Sequence, residues 1–275
     1  MTDTLMRKAE GDKYKLEIHV DTTCHEGPRE WDNLGTMLCS HKTYDLGDIQ
    51  FDASKYEGWY DALFHNLCNE LSIYPEAVKD EEEIYDKFII LPLYAYVHSQ
   101  IRISTTGFNC SWDSGQIGFI YCSKNRAKEW TNYTEKELYS GTSDREPEVG
   151  EHIKVKDIQS WNEVVEINPK EKTIKIDKDS FKGSNNFEVV GLDDIEKVMS
   201  NQVKKILKAE VDTYDKWCAG EVYTFRAYKK NYCEECGHTE EQLIDSCGGF
   251  LGHDIYENGI AGHIPKEVEH LIEKL

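Results

Sequence analysis

A long apolar run is missing from this chain. Its most hydrophobic stretch, FIILPLYAYV at 88–97, is too short to cross a bilayer and is interrupted by Pro92, so no membrane span is expected. The start, MTDTLMRKAEGDKYK, lacks the apolar core of a signal sequence, which points to a cytoplasmic protein. Basic surface is scarce as well. Against 52 Asp and Glu stand only 32 Lys and Arg, a formal charge of -20. Counterion release needs Lys/Arg clusters, so direct nucleic-acid binding through a basic face is disfavoured. No P-loop, dinucleotide fingerprint, nucleophile elbow or HExxH motif is present, and no internal repeat is evident.

What is there describes a folded chain. Aromatics make up 11%, with 16 Tyr and 6 Trp, which argues against disorder. A length of 275 residues allows one large domain or two small ones. The nine cysteines are odd in number and read as reduced thiols, in the core or as metal ligands. The acidity has three readings: solubility, a surface that meets a basic partner such as the DNA channel of a nuclease, or divalent-cation binding.

Hydrophobic periodicity predicts the elements. Tyr14, Leu16, Ile18 and Val20 alternate with Lys15, Glu17 and His19, a half-buried strand. Trp59, Leu63, Leu67 and Leu71 predict a helix over 56–73. Residues 88–97 and 100–105 form a hairpin, with Pro92 at an edge or bulge, and 116–123 a further strand. A helix follows over 124–139. Short alternating strands at 146–190, split by the Asn168-Pro169 turn, look like the centre of an SH3-like small barrel. The linker-like flanks GTSDREP and KGSNN make it an insertion. Ile195, Val198, Met199, Val203, Ile206, Leu207, Val211, Tyr214 and Trp217 predict one amphipathic helix over 193–217, with Asp193 and Asp194 at its start. The strand GEVYTFRAYKK, a Cys-rich segment and a helix at 265–275 complete the chain. The expected fold is α+β: a mixed or antiparallel sheet with packed helices and an inserted SH3-like barrel. The expected domains are 1–143 and 193–275 as two parts of a main domain, with 144–192 inserted.

Two irregular segments are rich in site-forming residues. Cys24–Asp48, CHEGPREWDNLGTMLCSHKTYDLGD, combines thiols, imidazoles and carboxylates with few signs of regular structure, the mark of an ordered functional loop. Ser104–Gly118, STTGFNCSWDSGQIG, offers Cys110 and Asp113 beside Trp112. If the two loops meet, Asp32, His41, Asp48, Cys110 and Asp113 are the candidate catalytic groups, and Arg29, Glu30, Trp31, Asn33 and Trp112 the candidate binding groups. Cys24 with His98, or Cys110 with His41, would make a thiolate–imidazolium pair. Each residue also has an ordinary role as turn former or anchor. In YCEECGHTEEQLIDSCGG, Cys233, Cys236, His238 and Cys247 are candidate ligands for tetrahedral zinc, with a disulfide or packed thiols as the alternatives.

Three long blocks carry a resemblance. GPREWDNLGTMLCSHKTYDLGD resembles SPREWDNLGTMVCFHRRYNLGD of a widespread, uncharacterised family of phage and prophage proteins. LPLYAYVHSQIRISTTGFNCSWDSGQIGFIYCSK is similar to a second block of that family, where LPLYLYDHSG leads to FSCPWDSGQVGFIY. DTYDKWCAGEVYTF, followed by CxxCGH and DSCGGFLG, resembles its C-terminal part. Val97 stands where the family has Asp, Gly248 where it has Trp, and 141–192 is extra. The resemblance implies a phage protein working in an infected bacterium. Two function classes follow. One is an accessory protein that inhibits a host factor, such as a defence nuclease complex, with self-association as a further expectation. The other is an enzyme or binding protein for a nucleotide or nucleic-acid-related substrate, acting through loops 24–48 and 104–118.

Overall fold

The computed structural model describes all residues except 1–3, 25, 111, 133–146, 148, 150–151, 157, 159–160, 179–185 and 200–201. Among the described residues the architecture is α+β, with three sheets. The first sheet is antiparallel and contains β1 (Leu5–Glu10), β2 (Tyr14–Val20), β13 (Val222–Tyr232) and β14 (Thr239–Leu251), in that order. The second contains β3 (Thr36–Cys39), β4 (Ile49–Gln50), β5 (Phe88–Val97), β6 (Ile101–Ser104) and β7 (Ser114–Ser123), in the order β4-β3-β7-β5-β6. Of the helices, α1 (Trp59–Glu70) and α2 (Glu82–Tyr85) pack on one face of this second sheet, and α4 (Gln202–Cys218) on the other.

Strand alternation sorts the core of the second sheet. Met37 and Cys39, Leu91 and Leu93, and Ile120 and Cys122 join Val203, Leu207, Val211 and Tyr214 of α4. The intervening Leu38, Phe88, Phe119 and Tyr121 join Leu63, Phe64 and Leu67 of α1. Val203, Leu207 and Val211 are fully buried, and each contributes about 1.5–3 kcal/mol by burial. Pro92 is accommodated because β6 pairs only with Tyr94–Val97, so one side of β5 is open at the proline. A register shift follows at Leu93/Tyr94.

The third sheet contains β8 (His152–Val155), β9 (Trp161–Asn168), β10 (Thr173–Asp177), β11 (Phe187–Gly191) and β12 (Ile195–Met199). Its order is β11-β10-β9-β8-β12. Asn168 shapes the β9–β10 turn by accepting from the amides of Lys170 and Glu171. Here the expected helix over 193–217 is corrected. Asp193 and Asp194 lie in a 3-10 turn, and Ile195–Met199 is a strand paired with β8. The helix begins only at Gln202. The short run IEKVM reads equally well as strand or helix when taken alone, and the open edge of β8 decides it.

Three further expectations change. The Cys-rich segment is mostly β14, the outer half of a long hairpin with β13. The end of the chain is a 3-10 helix at Glu269–Lys274, preceded by the short α5 (Ile260–His263). The helix expected over 124–139 is α3 (Lys124–Thr131), followed by Asn132 in the left-handed region at φ 56°. Its remainder, 133–139, lies outside the described residues. No helix among the described residues is long and apolar enough to cross a membrane.

Candidate functional site

The Cys24–Asp48 segment is pinned along α4 by buried charge. Arg29, with 8% of its side chain exposed, donates to Asp48 through Nε at 2.9 Å and to Glu210 through Nη1 at 3.2 Å. It also donates to the Gly35 carbonyl at 2.6 Å. Glu210 in turn accepts from the amides of Leu34 at 2.7 Å and Gly35 at 3.1 Å, and Asp48 from that of Met37 at 2.7 Å. Burial works against the Arg29 guanidinium, but the two carboxylates outweigh it and raise its pKa. Farther along α4, Tyr214 accepts from the Gly47 amide at 3.1 Å. Arg29 and Asp48 therefore share one network that shapes the loop.

The remaining candidates divide between the two ends of β3. Glu30, Trp31, Asp32 and Asn33 precede the strand. Glu30 accepts from the Gly27 amide, and the Asn33 side chain donates to the carbonyls of Pro28 and Trp31. Asp32 is exposed and Trp31 is 50% exposed. His41 follows the strand. Its Nδ1 accepts from the amides of Thr43 and Tyr44, and its ring stacks on Tyr44 at 5.3 Å.

The second loop reaches the same end as His41, because Cys39 lies opposite Gly118 and Tyr96 opposite Ser114. There Asp113 accepts at its carbonyl from the Val97 amide, and Ser114 donates to the Cys110 carbonyl. Trp112 is 94% exposed. Thus His41, Cys110 and Asp113 share one end of the second sheet, while Asp32 stands at the other. Among the described residues no hydrogen bond or ion pair joins any two of Asp32, His41, Asp48, Cys110 and Asp113.

Cys24 belongs to a different corner. Asp21 accepts from the amides of Thr23 and Cys24 through one oxygen and from that of Gly249 through the other. Burial, then Asp21 and Glu26, push the Cys24 thiol up, which disfavours the thiolate. His98 sits in the β5–β6 turn of the second sheet, so the Cys24/His98 pair does not form.

The four candidate zinc ligands also separate. Cys233, Cys236 and His238 occupy the β13–β14 turn, but Cys247 is opposite Phe225, well down the hairpin from the last pair, Tyr232 and Thr239. At the usual strand rise that is about 23 Å from the tip. No group of three His, Cys, Asp or Glu side chains placed to hold one ion occurs among the described residues.

Sequence reasoning missed the residues that organise these loops. Asp215 of α4 accepts a bidentate pair from Arg102, Nε at 3.0 Å and Nη2 at 2.7 Å, and the Ile103 amide at 2.6 Å. Glu210 and Asp215 flank the apolar stripe of α4 that contains Tyr214, and a carboxylate placed beside such a stripe was the available signal. The cavity between β2, β13 and the C-terminal turns, lined by Ile18, Tyr223 and Ile255 among others, has a volume of about 20 Å³, room for one water. Neither family models, curated proteins nor solved structures offer a match to this chain.

Proposed function

We propose that this chain is a phage-encoded accessory protein that binds and inhibits a host factor, an antiphage defence protein, in the cytoplasm of an infected bacterium. The observation that carries the reading is Trp112, 94% exposed within one of the three blocks that resemble the phage family. A tryptophan held in water on an ordered turn is a ready anchor for a partner's pocket, since Trp is enriched among binding hot spots. Trp31, 50% exposed in the first block, offers a second anchor. The net charge of -20 favours a basic partner face, as on a nuclease complex. The engagement of Asp48 and Arg29 in a structural network, and of His41 in its own turn, supports binding over catalysis by these groups.

In this reading the third sheet is an SH3-like small barrel inserted in the main domain. Its meander β8-β9-β10-β11, the 3-10 turn at Leu192–Asp194 and the return of β12 to pair with β8 support that.

Affinity purification of the tagged chain from a bacterial host, followed by native mass spectrometry, tests the proposal. The expected result is a stoichiometric complex with a host protein that Trp112→Ala weakens at least tenfold, about 1.4 kcal/mol. Recovery of an isolated chain carrying a nucleotide, with turnover abolished by His41→Ala or Asp113→Ala, would replace this reading with the enzymatic one.

A further inference from the structure

The β13–β14 hairpin ends in an exposed pair of thiols, Cys233 and Cys236. The turn between them is tightly built. The Cys233 amide donates to the His238 carbonyl at 2.8 Å, and the Gly237 amide returns to the Cys233 carbonyl at 2.9 Å. Gly237 has φ 68°, the left-handed conformation that lets the chain turn back directly after Cys236. Both cysteines thus sit on one tight, exposed turn.

Two thiolates make half of a tetrahedral site. Among the described residues no group completes it. Cys247 lies about 23 Å down the hairpin at the usual strand rise. Cys39, Cys68 and Cys122 are buried in the core. Among the described residues no third His, Cys, Asp or Glu joins the pair. The hairpin also holds its tip out from the body. The pairing of β13 with β2 stops at Lys229 and Tyr14, whereas β13 and β14 stay paired as far as Tyr232 and Thr239. Ion pairs of Lys230 with Glu10 and of Lys15 with Glu241 brace its base.

We infer that Cys233 and Cys236 are half of an intermolecular zinc site, completed by the same two cysteines of a second copy, so that zinc joins two chains tip to tip. Four thiols lose their protons as one Zn²⁺ binds, and no redox change is involved. Glu234 and Glu235 stand in the same turn, so two tips repel each other until the metal is present. The chain is therefore monomeric without zinc and dimeric with it.

The test is native mass spectrometry and sedimentation of the full reduced chain, with zinc chloride added and then removed by a chelator. One zinc per two chains is expected, with self-association weakened about a hundredfold or more by chelation. Cobalt in place of zinc is expected to give the charge-transfer absorption of a tetrathiolate site. Because the tip is exposed, Cys233→Ser and Cys236→Ser are expected to keep the circular dichroism of the native chain and lose both zinc and dimer. One zinc bound within a monomer would overturn the inference. So would a dimer indifferent to chelation, or thiols that join as an intrachain disulfide and take up no metal under reducing conditions.

Discussion

Glu210 is the side chain on which the first loop depends. It serves two backbone amides and Arg29 at once, with 13% of its side chain exposed. Glu210→Ala leaves those donors without a partner, and a loss of about 3 kcal/mol is expected in urea unfolding. Gly35 is equally constrained, because a Cβ there would lie 2.5 Å from Leu207 and 2.8 Å from Ile120. Gly35→Ala is expected to destabilise by about 1–3 kcal/mol, the usual range for overpacking. Trp112→Ala, by contrast, is expected to change stability by less than about 0.5 kcal/mol, as exposed positions do. A large loss at Trp112 in the same unfolding assay would mean that the ring is a packing residue and not an anchor. The loop residues themselves were legible as a dense cluster. Their partners were not, since Arg29 and Glu210 are far apart in sequence and only packing joins them.

Helix α4 is the element that ties the first loop, through Glu210 and Tyr214, to β6, the strand leading into the second loop, through Asp215. Asp215→Ala is expected to cost about 2–3 kcal/mol, because the buried Ile103 amide loses its acceptor. Lys204, in the first turn of the same helix, pulls the other way. Burial lowers its pKa from the ordinary 10.5 to about 8. The folded chain thus holds this proton less tightly than the unfolded chain. The penalty is full below pH 8 and is relieved as pH rises through 8 towards 10.5. Lys204 keeps some contact with water, so Lys204→Met is expected to stabilise by no more than about 1 kcal/mol at neutral pH, the gain fading above pH 8 in denaturation curves taken across that range. A gain that does not change with pH would show that packing, not charge, is responsible. Most of α4 was legible from its stripe. Its start was not, because Ile195, Val198 and Met199 extend the apolar pattern from the preceding strand into the helix.

At the level of the whole chain, charge is the dominant property. A net -20 at pH 7 steers approach to a basic partner, and the field is screened within about 10 Å at 0.1 M salt. Raising ionic strength from about 0.05 to 0.5 M is expected to slow association with the host partner by an order of magnitude or more, with much less effect on dissociation. Stopped-flow or surface-binding kinetics read both rates. An association rate indifferent to salt would mean that the apolar anchors act without electrostatic steering.

The sequence by itself determined the properties that depend on composition and on neighbours along the chain. These are the acidity, the lack of a membrane helix among the described residues, β2, the β5–β6 hairpin, α1 and the Asn168-Pro169 turn. Each follows from local spacing, which a reader of the chain can measure directly. Tertiary structure alone decided that Asp32 and His41 stand at opposite ends of β3, that Arg29 and Asp48 close on Glu210, and that Cys247 lies far from Cys233. The same applies to Ile195–Met199, a strand because β8 has an open edge to fill. The physical reason is common to all four: strand pairing and burial decide which residues meet and which are held apart, and local periodicity carries no record of that choice.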